Sequence, residues 1–158
     1  PSVARMGAQG TCRSGNLVTD RCGRELAEGA TQHDSLGLWQ RFEVERYREY
    51  HGDKLVRRFD ANSYLIIGKA MDLHDVGRGR SGLAAAMARV KAPTLVLGIS
   101  SDILYPTYQQ RQIRQLVAAN GTPAEYIEIE SPHGHDGFLI NLEAVAPPVQ
   151  KFLETLGR

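Results

Sequence analysis

Cysteine is scarce in this chain of 158 residues: Cys12 and Cys22 alone occur, ten positions apart, with no His pair at metal-ligand spacing beside them. That argues against a disulfide-stapled fold and against a structural zinc site, which needs more ligands, so both thiols are expected reduced and no metal is expected. A dominant charge is lacking too. The 19 basic and 18 acidic residues leave a net charge of +1 and are spread along the sequence, so there is no electrostatic footprint for nucleic acid or an anionic membrane. No apolar run approaches the ~20 residues that span a bilayer, and the first residues do not pair a basic stretch with an apolar one. The expectation is a cytoplasmic protein with neither nucleic acid nor membrane as partner.

What is present is an ordinary globular composition, 42% hydrophobic and 23% charged, enough for one domain. Its two halves differ in period. Up to about Gly82 the patterns are helical: Phe42 to Arg58 and Ala61 to Leu73 carry apolar residues at a spacing near 3.6, and Asp60-Ala61-Asn62-Ser63 offers cap-forming side chains between them. The stretch 27–40 has no clear period and reads as loop. Residues 1–82 are therefore taken as a helical region and 83–158 as an α/β region.

In the second region Thr94 to Ile99 is a continuous apolar run, as a parallel strand buried on both faces requires, and Tyr108 to Ala119 reads as a crossover helix stopped by Asn120-Gly121. Ala124 to Ile129 alternates, which suits a strand with one wetter face. Leu142 to Leu156 closes the chain as an amphipathic helix, with Pro147-Pro148 expected in its first turn. Two parallel strands make a poor sheet by themselves, because both edges stay open. Together with a first residue that is Pro1 rather than Met, this leads to the expectation that the chain is the carboxyl-terminal part of a larger α/β protein.

Chemistry concentrates beyond the two strands. Ser100-Ser101-Asp102 follows the first, and Ser131-Pro132-His133-Gly134-His135-Asp136 follows the second. In doubly wound sheets the catalytic groups gather at these carboxyl ends, and an acid followed by a His along the chain is the order found in a hydrolase triad. Asp102 is the candidate acid and His135 the candidate base, with His133 as a rival. Asp136 either holds a cationic substrate group or caps the helix that follows. The triad's serine is not evident: Gly98-Ile99-Ser100-Ser101-Asp102 and Gly79-Arg80-Ser81-Gly82 both fail the Gly-x-Ser-x-Gly elbow. Asp72 to Arg80, rich in Gly and Arg, reads as a hinge more readily than as a phosphate cradle, although Arg78 and Arg80 could meet an anionic group.

Several segments carry a resemblance. Phe42-Glu43-Val44-Glu45, Gly52-Asp53-Lys54, Arg58 to Tyr64, Ala70 to Arg80 and Gly134-His135-Asp136-Gly137-Phe138-Leu139 resemble the homoserine O-acyltransferase family, α/β-hydrolase-fold enzymes of methionine synthesis. The resemblance implies the carboxyl-terminal part of an α/β-hydrolase core at 83–158 under a helical lid at 1–82. It implies acetyl transfer from acetyl-CoA to the homoserine hydroxyl through a Ser-Asp-His triad, with the serine upstream, Asp102 as acid and His135 as base. It further implies that Arg5 binds the substrate carboxylate and Asp136 faces the substrate amine. The acyl-CoA is a co-substrate, with no permanently bound cofactor, and the lid carries a homodimer contact. Close relatives transfer succinyl groups or use serine as acceptor, and a catalytically inactive remnant is the remaining alternative. Two positions depart from the family pattern: Cys12 stands for a tyrosine and Cys22 for a phenylalanine.

Overall fold

A computed structural model describes residues 15–23, 26 and 40–157. Helix α1 (Gly15–Cys22) packs on α2 (Glu43–Arg58), and Leu26 makes an antiparallel bridge to Phe42 just before α2 begins. The first turn of α2 is acidic and its last is basic, which complements the helix dipole, and the Glu45 side chain accepts the Phe42 N–H at 2.9 Å. Helix α3 (Ala61–Asp72) starts at Asp60, whose Oδ2 accepts the Ser63 N–H at 2.7 Å, the cap expected from the sequence. That bond holds the Asp60 carboxyl below its ordinary value. No residue of α3 is buried.

The Asp72 to Arg80 segment is a knot of local bonds. Arg78 Nη2 donates to the Leu73 carbonyl at 2.7 Å, Arg80 Nη1 to the Val76 carbonyl at 2.9 Å, and the Gly77 N–H to Asp75 Oδ1 at 2.8 Å. Both guanidinium groups thus satisfy carbonyls of their own segment. Gly77 is buried here, and a Cβ on it would meet Gly82 C and Leu83 N at 2.8 Å. Helix α4 (Leu83–Met87) follows.

Strand β1 (Thr94–Ile99) and β2 (Ala124–Ile129) pair in parallel, in register from Thr94 with Ala124 to Ile99 with Ile129, and α5 (Thr107–Ala118) crosses between them and lies on both. Val96, Ile99, Val117 and Ile129 form the buried core of this β-α-β unit, Val117 being 1% exposed. Removing such side chains from water stabilises by about 1.5–3 kcal/mol each. Thr122 ties the unit to the preceding segment by donating to the Val90 carbonyl at 2.9 Å. On the helix-covered face Gly98 makes room for the Tyr126 ring, whose hydroxyl donates to Glu128 Oε2 at 2.7 Å, while Arg111 from α5 pairs with Glu128 and lies over the ring.

A 3₁₀ turn (Gly134–Asp136) and the short α6 (Gly137–Ile140) lead into α7 (Leu142–Leu156). Pro147 and Pro148 lie inside α7, in its second turn and not its first. The helix begins earlier than the prolines suggest because the Asn141 carbonyl already accepts the Ala144 and Val145 N–H groups, at 3.1 and 3.2 Å; each proline then deletes one i→i−4 bond.

Two outcomes follow for stability. Burial pushes the Tyr126 phenol above its ordinary value, the hydrogen bond to Glu128 and that carboxylate's charge add to the shift, and Arg111 opposes it. The folded state therefore favours the neutral phenol, and this contribution is present below the unfolded value of about 10 and lost as pH rises through the higher folded value. Melting temperatures measured from pH 8 to 12 should show a steeper alkaline fall for the wild type than for Tyr126→Phe. Gly77→Ala should lower stability by roughly 1–3 kcal/mol, since backbone atoms and not a flexible side chain oppose the new methyl; denaturant unfolding measures it.

Candidate active site

The parallel register decides which groups meet. With Ile99 opposite Ile129, both strands end at the same level, and the Ser100 N–H donates to the Ile129 carbonyl at 3.0 Å to extend the ladder by one bond. The chain then turns sharply at each end. On the first side the Asp102 N–H returns to the Ile99 carbonyl at 3.1 Å, and Asp102 Oδ1 accepts the N–H groups of Leu104 and Tyr105 at 2.8 and 3.0 Å, a short-range side-chain turn of the kind Asp favours. On the second side Gly134, with φ 66°, reverses the backbone into the 3₁₀ turn, a left-handed conformation that glycine adopts without a Cβ penalty.

These turns bring Asp102 and His135 together. Asp102 is buried, and its Oδ2 accepts a hydrogen bond from His135 Nδ1 at 2.8 Å. A carboxylate can only accept, so Nδ1 carries the proton and Nε2 is left as the basic nitrogen. An ionised carboxylate away from water needs such partners, and Asp102 has three: two backbone amides and one imidazole. The His135 ring lies between two aromatic rings, Tyr105 at 5.1 Å and Phe138 at 5.3 Å between centroids. A cavity of about 370 Å³ opens beside it, with Asp102, His135, Tyr105, Phe138 and the strand residues Leu97 to Ile99 among its lining, within the size range of small-ligand sites.

The two histidines are not equivalent. His133 Nδ1 is buried with no hydrogen-bond partner, whereas His135 holds the acid. Asp136 stands at the N-cap position of α6 but makes no side-chain cap bond, which removes the capping role considered from the sequence. Arg5 and Cys12 lie outside the described residues; Cys22 is buried and is a free thiol. Arg78 and Arg80 lie in their own turn, bonded to local carbonyls. Among the described residues no three His, Cys, Asp or Glu side chains are grouped to hold a metal, and no helix is long and apolar enough to cross a membrane.

Serines that sequence reasoning passed over fasten the two loops. Ser100 Oγ accepts the Ser131 N–H at 3.1 Å, Ser101 Oγ donates to the Ser131 carbonyl and accepts the Gly134 N–H at 2.9 Å, and Ser131 Oγ accepts the His133 N–H at 3.3 Å. Gly137 packs against this seam, since a Cβ there would lie 2.9 Å from both Ser131 Oγ and Ile99 Cγ2. The only signal was residue type: serine follows the first strand directly and the second after Glu130, and its hydroxyl can donate and accept at once. These three hydroxyls are spent on the backbone.

No family model matches the chain. Among curated relatives, the homoserine O-acetyltransferase of Symbiobacterium thermophilum is 44% identical over 155 residues, 98% of this chain and 40% of the relative. That of Carboxydothermus hydrogenoformans is 52% identical over 124 residues, 78% of this chain and 33% of the relative. The chain thus spans about two-fifths or less of the length of these relatives. Among solved structures, the homoserine O-acetyltransferase from Bacillus anthracis superposes with a TM-score of 0.79 at 24% identity, over 95% of this chain and 39% of that one. An acetylester hydrolase from Corynebacterium glutamicum gives 0.56 at 32% identity, over 71% of this chain and 31% of that one. The fold is part of an α/β-hydrolase, as the sequence led us to expect.

Asp102→Asn should change the tautomer of His135. An amide can keep accepting the Leu104 and Tyr105 N–H groups through its oxygen, which turns its NH₂ toward Nδ1 and requires that nitrogen to accept. Nitrogen-15 chemical shifts of the imidazole report which nitrogen is protonated, and an unchanged Nδ1–H form in the variant would refute the assignment.

Proposed function

We propose, for a chain that belongs to the homoserine O-acetyltransferase family, that it is the carboxyl-terminal portion of an enzyme moving an acetyl group from acetyl-CoA to the homoserine hydroxyl, a step of methionine synthesis. The observation that carries this reading is the buried Asp102–His135 pair at the strand ends, with Nε2 left basic beside an open cavity. The attacking serine is assigned to the part of the longer protein that this chain does not span. Support comes from the serines beside the pair, whose hydroxyls are engaged with loop backbone.

In the first half-reaction His135 Nε2 takes the serine proton as the serine oxygen bonds to the thioester carbonyl. The imidazolium then protonates the departing CoA sulfur. In the second half the homoserine hydroxyl gives its proton to Nε2 while attacking the acyl-serine, and the proton returns to the serine oxygen as the ester product leaves. Asp102 orients the ring and stabilises its charged form throughout, the role of the acid in such triads. Asp136, next in the chain to the base, is assigned to the substrate ammonium and Arg5 to its carboxylate, the latter through the bidentate pairing a guanidinium allows. Residues 1–82 are assigned as the lid and 83–158 as core. A homodimer through the lid accounts for the apolar surface of α3, where Leu65 and Ile66 are 69% and 70% exposed. Succinyl-CoA as donor or serine as acceptor uses the same acid and base.

The likeness to the acetylester hydrolase favours a second reading, in which water replaces homoserine in the second half. Comparing acetyl transfer to homoserine with hydrolysis of a simple acetyl ester, both by the longer protein carrying this chain, separates the two.

In that protein His135→Ala and Asp102→Asn should each lower kcat on the order of 10³-fold or more, measured by thiol release from acetyl-CoA in the presence of homoserine. A larger loss in His133→Ala than in His135→Ala would assign the base to His133. The 158-residue chain alone should release thiol no faster than buffer.

A further inference from the structure

We propose that Ser101 is a positioning residue for this acid–base pair, a proposal that rests on the triad reading above. Ser101 directly precedes the acid, and Gly134, whose N–H it accepts at 2.9 Å, directly precedes the base. The same hydroxyl donates its proton to the Ser131 carbonyl, so both its capacities are in use. One side chain thus fixes, by backbone bonds, the gap that the 2.8 Å Asp102–His135 bond must cross.

The reason such a restraint is needed lies in Gly134. Its left-handed φ of 66° makes the turn possible, but glycine has the widest rotational freedom of any residue, and rotation there carries the imidazole with it. Gly134 is buried, so without Ser101 its N–H loses this hydrogen bond, and the peptide plane from which the glycine's turn starts is no longer anchored to the acid's loop. Ser100 acts differently. It accepts the Ser131 N–H at 3.1 Å and donates to the Ser131 carbonyl at 3.5 Å, so both its bonds fall at Ser131 and neither reaches the Gly134 peptide. The Tyr105 and Phe138 rings limit the tilt of His135 but leave its height above the acid to the backbone.

The test uses the longer protein carrying this chain, assayed for acetyl transfer. Ser101→Ala should lower kcat on the order of 10- to 100-fold with the homoserine KM within about 2-fold, because the reacting groups are displaced while substrate contacts persist. Ser101→Thr, which keeps the hydroxyl, should recover most of that loss, and the near-isosteric Ser101→Val should not. Ser100→Ala should lower kcat less than Ser101→Ala. The His135 Nδ1–H proton resonance, sharp and downfield in the wild type, should broaden or vanish in Ser101→Val. If Ser101→Ala stays within about 2-fold of wild type, if Thr is as slow as Val, or if Ser100→Ala does equal damage, Ser101 has no special positioning role. If His135→Ala and Asp102→Asn keep the wild-type rate, the triad reading itself fails.

Discussion

Parallel pairing of β1 with β2 is the constraint from which the site follows. Because Ile99 stands opposite Ile129, the residues just beyond each strand emerge side by side, and two segments more than thirty residues apart along the chain can share hydrogen bonds. A slip of one position would turn every side chain to the other face and separate the serines of one loop from their backbone partners on the other. The register is held by burial on both faces of the sheet. Val96, Ile99, Ile129 and Val117 are the buried side chains, Ile99 and Ile129 on the face opposite Val96, and on the α5 side Gly98 admits the Tyr126 ring that Glu128 and Arg111 hold in place.

Given that placement, the electrostatics of the pair are determined locally. Asp102 is taken out of water, and its carboxylate is met by hydrogen bonds from two amides of the turn leading to α5 and from the imidazole of the neighbouring loop. Both carboxylate oxygens are engaged. The acid therefore has one rotamer that satisfies all three donors, and the imidazole is offered one tautomer.

Much of this was legible in the sequence, for physical reasons. The apolar run of Thr94 to Ile99 and the alternation of Ala124 to Ile129 are direct imprints of burial, and the Asp60 cap is written in residue types that bond their own backbone. Position after strands marked Asp102 and the His133/His135 pair as candidates, and the family resemblance singled out His135. What escaped notice depends on distances between segments. Nothing in the spacing of Ser100, Ser101 and Ser131 announces that their hydroxyls bridge two loops, and nothing around Pro147-Pro148 shows that the Asn141 carbonyl starts the helix ahead of them. Spacing by itself did not choose between His133 and His135, because two residues of offset leave both side chains within reach of an acid until the turn at Gly134 is known. Arg5, assigned through family resemblance, lies outside the described residues.

The acid, the base, the serines that join their loops and the aromatic rings around the imidazole all belong to one uninterrupted stretch of chain, Thr94 to Phe138, built as a single strand-helix-strand crossover. Bringing its two ends together closes a loop of modest length, and that entropy rises only slowly with the number of residues enclosed. The pairing itself is a non-local contact, so the acid and the base meet only once the crossover through α5 has closed. Acid and base are thus carried together on one contiguous cassette of sequence, and whatever moves that cassette moves both.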